Sequence, residues 1–328
     1  MSDKVNHFAP VAVFVYNRLQ NTIEVIEALR KNRLAMQTEV YFFSDGPRHK
    51  KDESSVQEVR NYLRSVNGFK KIHLVEREQN YYIEKNIILG VTYVINKHGS
   101  IIVLEDDGVT SEDFLEFMNG ALDFYKTFKK VMHVATFTFI NMPNGFNKTF
   151  FWRYTENTGG GWATWKDRWA KFEYFQTKEQ ALSSMSETEK DWVEMSGEYK
   201  CLDLLRLQPI PWDLCWYISV AKNQGLAVQA PWALTVNNGL YNGTHFNFFN
   251  RLLGRSPFET NLSAPRKIIF SEDVVEDKYA LGQLIKFYKE MQSNKRAKAI
   301  HFLLRILIYL KVTKIVKFIL KIYRGSVS

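Results

Sequence analysis

Cysteine, long apolar runs and phosphate-loop glycines are all scarce in this chain of 328 residues. Its two cysteines, Cys201 and Cys215, are too few for a disulfide framework and lack metal-site spacing. They point to a reducing compartment, the cytoplasm. No uninterrupted apolar run reaches the roughly 18 residues that a membrane span needs. The polar start Met1–His7 leads into no apolar h-region, so no secretory leader is expected. A G-x-x-x-x-G-K-[ST] loop is missing, which removes the P-loop nucleotidases. There is no internal repeat and no low-complexity tract. Hydrophobic residues make up 45% of the chain, enough to fill the core of one large domain or two modest ones.

Acids are absent from one long stretch. Between Lys295 and Arg324 lie nine cations and no carboxylate, so with a net charge of +9 the rest of the chain is close to neutral. That argues against a protein that coats nucleic acid, because the basic excess is confined to one tail. Ala297–Tyr323 is rich in Ile and Leu, and Lys311, Lys314, Lys317, Lys321 and the adjoining Arg324 recur every three or four residues and share one helical face. Such a helix either packs on the domain with its lysines in solvent or lies on an anionic membrane surface. The uncompensated charge favours the membrane.

The first 140 residues alternate strand and helix patterns. Apolar runs at Pro10–Tyr16, Glu39–Phe43, Lys71–Val75, Ser100–Leu104 and Val131–Phe137 read as strands. Helical spacing occupies Asn21–Lys31, His49–Ser65, Ile83–Asn96 and Ser111–Phe128. This order predicts a mostly parallel sheet covered on both faces, with ligands bound outside the carboxyl ends of its strands. The region 141–265 holds all eight tryptophans and is rich in turns, and Trp162, Trp165 and Trp169 have helical spacing. A third region, 266–328, is expected to be helical and basic.

The run Ser100-Ile-Ile-Val-Leu-Glu-Asp-Asp107 carries the most chemistry. Three carboxylates at the end of a buried strand repel one another and resist burial, and a cation relieves both costs. Hard oxygen ligands favour Mg²⁺ or Mn²⁺, with phosphate completing the shell. The bland alternative is a solvated acidic loop followed by a helix cap. A phospho-receiver places its acids after the first strand, whereas these follow the fourth.

With Val15-Tyr16-Asn17-Arg18, Phe43-Ser44-Asp45, Gly160-Gly161-Trp162, Trp212-Asp213-Leu214-Cys215-Trp216 and Asn238-Gly239 through Gly243-Thr244-His245 added, the pattern resembles a GT-A-fold glycosyltransferase. The resemblance is to the bacterial sugar transferases related to N-acetylglucosaminyltransferase I, and it covers about residues 10–246. It implies a GT-A-like, Rossmann-like α/β fold with a nucleotide-sugar half (1–140), an acceptor and catalytic half (141–265) and a tail (266–328). It implies an inverting enzyme that needs Mn²⁺ or Mg²⁺ and takes a nucleotide-diphosphate sugar, UDP-linked, to a glycan or lipid-linked glycan acceptor in bacterial surface polysaccharide synthesis. Such an enzyme would sit on the inner face of the cytoplasmic membrane.

Residue by residue, the resemblance makes Asp107 a metal ligand and Asp106 a contact of the ribose or donor sugar. Arg18 and Asp45 would bind the nucleoside, with Asn86 facing the nucleotide. His245 would approach the metal or diphosphate from a closing loop. Asp213 matches the base that takes the acceptor proton, although Leu214 follows it where the eukaryotic relative has a second acid. Trp162, just after three glycines, is the candidate sugar platform, against the ordinary expectation that large aromatics are core. Two other readings stand beside this one. One is a catalytically silent carbohydrate-binding protein on the same fold. The other is a nucleotidyltransferase, disfavoured because no glycine-rich basic loop follows Val15.

Overall fold

The computed structural model describes residues 8–155, 160–238, 262 and 266–293. In the first part, strands β1 (Val11–Val15), β2 (Glu39–Ser44), β3 (Lys71–Glu76) and β4 (Ser100–Glu105) alternate with helices α1 (Leu19–Arg30), α2 (Glu53–Ser65) and α3 (Tyr82–His98). A short β5 (Gly108–Thr110) and α4 (Phe114–Phe124) follow, and then β6 (Val131–Ala135). The chain continues through β7 (Phe150–Trp152), β8 (Trp162–Trp165), α5 (Lys166–Trp169), α6 (Lys178–Ser183), α7 (Glu187–Val193) and α8 (Trp212–Lys222). It closes with β9 (Leu226–Gln229), β10 (Thr235–Asn237) and α9 (Lys278–Ser293).

Eight strands form one sheet in the order β3-β2-β1-β4-β8-β6-β9-β7. The first four are mutually parallel, β6 runs parallel to β9, and β8 and β7 are antiparallel to their neighbours. The sheet therefore runs without a break across residue 140, and strands from both sides of that boundary share it.

Strand alternation builds two cores. Val11, Val13, Val15, Phe42, Ile102 and Leu104 face one way, against Val25 and Ile26 of α1, Val59 of α2 and Phe114 of α4. Ala12, Phe14, Tyr41, Phe43, Ile101 and Val103 face the other way, against Ile87, Val91 and Val94 of α3 and Trp216 of α8. Burial on both faces is why these strands are continuously apolar. A third cluster joins α8 to the helical segment 175–205 and encloses both free cysteines.

The structure adds one strand and changes one expectation. Gly108–Thr110 is a strand, and it pairs antiparallel with β10, over a hundred residues away. The segment Trp162–Trp165 is also a strand. Its two tryptophans, an odd number of residues apart, point to opposite faces: Trp162 joins the α3 and α8 side, and Trp165 the α4 side.

The C-terminal piece is tied to the β7 edge. Lys148 bridges Ile269 and Phe151 bridges Glu276. Arg153 donates to Glu276 Oε1 at 2.8 Å and Oε2 at 2.6 Å, and its guanidinium lies over the Trp192 ring. Tyr154 and Tyr288 join through their hydroxyls at 2.9 Å, fastening α9. The basic stretch after residue 293 lies outside the described residues. Among the described residues, no helix is long and apolar enough to cross a membrane.

Candidate active site at the carboxyl ends of the strands

The parallel strands end level with one another. Val15 pairs with Ser44, Ser44 with Glu76, and Phe14 with Glu105. Whatever follows each strand is thus delivered to one rim: Arg18 after β1, Asp45 after β2, Arg77 after β3 and Asp106-Asp107 after β4.

Arg18 is the cation that pairs with the acid run. Its Nε donates to Asp106 Oδ2 at 3.1 Å and its Nη2 to Asp107 Oδ2 at 3.0 Å, and Nη2 also bonds Asp106 Oδ1. Asp106 is buried and fully engaged by this fork. Asp107 is held at its backbone, where its carbonyl accepts from Asn238 N at 2.8 Å, and Asn238 Nδ2 donates to Glu24 Oε2 at 2.7 Å. Asp107 Oδ1 is enclosed without a hydrogen-bond partner.

The electrostatics follow from that crowding. Burial, reinforced by the Asp106 charge and opposed by Arg18, pushes the Asp107 carboxyl up to about 6. Glu105 is pushed well above the usual carboxylate range, first by burial and then by the charges of Asp107, Asp213 and Asp106. The influence of Asp213 on Glu105 brings together the acid run and a residue over a hundred positions later. Asp213 sits half-buried in the first turn of α8, where its Oδ1 accepts from Leu214 N at 2.9 Å.

Asp45 and its neighbours form a separate wall at the rim. Asp45 is buried, and its Oδ1 accepts from Tyr81 N at 2.8 Å and Gly46 N at 2.9 Å. Burial raises its carboxyl, and those amides pull it back. Gly46 is required by close approach, since a Cβ there would lie 2.4 Å from the Gln79 carbonyl carbon. Asn86 is also buried and accepts from Arg77 Nε at 3.3 Å. The Arg77 guanidinium lies 5.6 Å from the Phe43 ring centroid and 4.9 Å from that of Tyr81.

Arg60 of α2 supports the same wall by donating to the carbonyls of Arg77 at 2.6 Å and Asp45 at 3.3 Å. Neither Arg60 nor Arg77 stands out in the sequence. Arg60 reads as the solvent face of an amphipathic helix, and no local pattern gives away its backbone partners.

Trp162 requires a correction. It has no exposed surface and packs in an aromatic cluster, 5.5 Å from the His133 ring and 5.4 Å from Trp212. Gly161, at φ +96°, brings the backbone close to Leu104 and Phe114 rather than to a ligand. A ring enclosed this way offers no platform to a sugar. His245 lies outside the described residues, but β10 and Asn238, bonded to Asp107, lead directly into its segment.

Among the described residues, no three His, Cys, Asp or Glu side chains converge tightly enough to hold a divalent cation by themselves. Asp107 nevertheless fits a cation held partly by phosphate. It carries an enclosed oxygen with no donor, in a group of carboxylates balanced by a single guanidinium.

No protein-family model matches the chain, and no curated protein is similar to it in sequence. Several solved structures show a slight likeness to it. TarS from S. aureus matches with a TM-score of 0.42 at 11% identity, over 74% of this chain and 38% of that one. The mannosyltransferase PcManGT from Pyrobaculum calidifontis, in complex with GDP-Man and Mn²⁺, matches with 0.35 at 10%, over 66% and 71%. An active-site mutant of LgtC matches with 0.34 at 10%, over 63% and 69%. Likenesses this slight assign no substrate or activity. What stands by itself is the architecture: a large, mostly parallel sheet flanked by helices, with a helical piece at the C-terminal side.

Proposed function

We propose that this chain is a metal-dependent, inverting glycosyltransferase that moves a sugar from a nucleotide-diphosphate donor, expected to be UDP-linked, to a glycan hydroxyl. The observation that carries the proposal is the acid pair at the end of β4: Asp106 and Asp107 share the Arg18 guanidinium, and one oxygen of Asp107 is enclosed without a hydrogen-bond partner. The charge of Asp213 is among those that raise Glu105, which supports its place in the same reading.

In this reading Asp45, Arg77 and Asn86 form the nucleoside end of the donor site. Arg18, which the resemblance assigns to the nucleoside, is placed here at the diphosphate because it forks onto the acids of the run, and Asp107, joined by His245, would hold Mn²⁺ or Mg²⁺. The metal, when bound, would stabilise negative charge on the departing diphosphate as a Lewis acid. Asp213 accepts the proton of the acceptor hydroxyl as its oxygen attacks the anomeric carbon from the face opposite the nucleotide. The new bond from carbon to the acceptor oxygen forms as the bond to the phosphate oxygen breaks. Its electron pair leaves with the nucleoside diphosphate, and no covalent enzyme intermediate is needed. The acceptor class we infer is a glycan of a bacterial surface polysaccharide, carried on lipid. The basic segment beyond residue 293 would then rest on the anionic membrane face.

The test is release of nucleoside diphosphate from a panel of nucleotide sugars with Mn²⁺. The proposal expects release by the wild type, and its loss in Asp213→Asn with donor binding retained. Binding of sugar without any release would identify a silent carbohydrate-binding protein. Release of pyrophosphate from a nucleoside triphosphate supplied together with a sugar 1-phosphate would identify a nucleotidyltransferase.

A further inference from the structure

We propose that Arg18 is a displaceable counter-cation that makes metal and nucleotide diphosphate bind cooperatively; this rests on the nucleotide-diphosphate reading above. One guanidinium serves two carboxylates unequally. Asp106 receives a two-pronged fork, whereas Asp107 receives one bond, at 3.0 Å, from a nitrogen that Asp106 already uses. The second oxygen of Asp107 is enclosed and receives none. Asp107 is thus the carboxylate that Arg18 satisfies only in part.

The backbones on both sides are pinned, whereas the guanidinium is held only by the two carboxylates it pairs. The Arg18 carbonyl accepts from both the amide and the hydroxyl of Thr22 at 2.9 Å, and the Asp107 carbonyl accepts from Asn238 N at 2.8 Å. The Arg18 side chain keeps 24% of its surface exposed, against 8% for Asp106 and 15% for Asp107. It can turn outward while the strand ends stay in place.

A divalent cation on Asp107 competes with Arg18 for the same carboxylate and meets a like charge beside it. A diphosphate arriving alone meets a guanidinium already neutralised by two acids. When both arrive, the cation takes Asp107, Arg18 turns to the phosphate oxygens, and the anion separates the two positive charges. Each ligand therefore tightens the other by the same factor, as linkage requires.

The experiment is calorimetric titration of Mn²⁺ into the wild type, Arg18→Met and Arg18→Lys, each with and without saturating UDP or GDP. The wild type should bind Mn²⁺ about ten-fold or more tightly with nucleotide than without, within the usual range of coupling between sites. Arg18→Met should bind Mn²⁺ alone more tightly than the wild type and lose most of the coupling. Arg18→Lys keeps the charge but cannot fork, and its coupling should fall between the two. Should Arg18→Met fail to fold, the lysine variant carries the test through the same reduction in coupling.

Unchanged coupling in a folded variant, or weaker binding of Mn²⁺ alone to Arg18→Met, overturns the role given to Arg18. A wild type that binds Mn²⁺ with neither nucleotide overturns the nucleotide-diphosphate reading itself, and the inference falls with it.

Discussion

Acidification should destabilise this protein through one residue, His133. The imidazole is wholly buried and stacked on Trp162, and its Nδ1 accepts from Trp216 Nε1 at 3.1 Å. The ring proton therefore belongs on Nε2, which is enclosed without a partner. Adding a second proton would break the Trp216 bond and bury a charge among tryptophans, so burial pushes the group down to about 3. The folded value lies below the unfolded one of about 6.5, so the native state binds fewer protons than the unfolded chain. The stability is complete above pH 6.5 and is lost as pH falls toward 3. At about 1.4 kcal/mol per unit, acidification from pH 7.5 to 4.5 should remove about 2.7 kcal/mol through this group alone. His133→Asn keeps an acceptor for Trp216 but cannot titrate. Urea denaturation of both proteins across that range should show the wild type losing about 2.7 kcal/mol more than the variant. Parallel stability curves would refute the assignment of a neutral, non-titrating His133 in the native core.

Three further outcomes are expected. Asp213→Asn should lower kcat by about 10²–10⁴-fold while leaving the donor Kd within about two-fold, because a base acts on the acceptor and not on the nucleotide; initial rates and calorimetry read the two quantities separately. Trp162→Phe should cost on the order of 1–3 kcal/mol of stability, read by urea denaturation, and leave donor affinity unchanged, as expected for a core ring rather than a sugar platform. Gly46→Ala places a Cβ 2.4 Å from the Gln79 carbonyl carbon. It should displace the segment that delivers Tyr81 N to Asp45 and weaken nucleotide binding by about ten-fold, at a cost to stability on the order of 1–3 kcal/mol.

The parallel half of the fold was legible because β1, β2 and β4 are buried on both faces, which leaves long apolar runs with nothing else to mean. The acids after β4 were legible for the complementary reason: charges have no place at the end of a buried strand unless something uses them. The pairing of Gly108–Thr110 with Thr235–Asn237 had no local signal, since its partner lies over a hundred residues away. The tryptophans misled because Trp162 and Trp165 sit three apart, which suits one face of a helix as well as two faces of a strand. Burial of Trp162 follows from the helices that cover its side of the sheet, and no window of sequence contains them. Arg60 and Arg77 were invisible because their partners are mainly backbone carbonyls and ring faces, which any sequence can supply, and their side-chain partners Ser44 and Asn86 carry no charge to reveal the pairing.

The central claim is that the acid run is a donor site. Calorimetric titration of UDP in the presence of Mn²⁺ into the wild type and Asp107→Ala tests it most directly. The account predicts binding by the wild type and none detectable by an Asp107→Ala variant that melts as a folded protein. Equal binding by the two would contradict it.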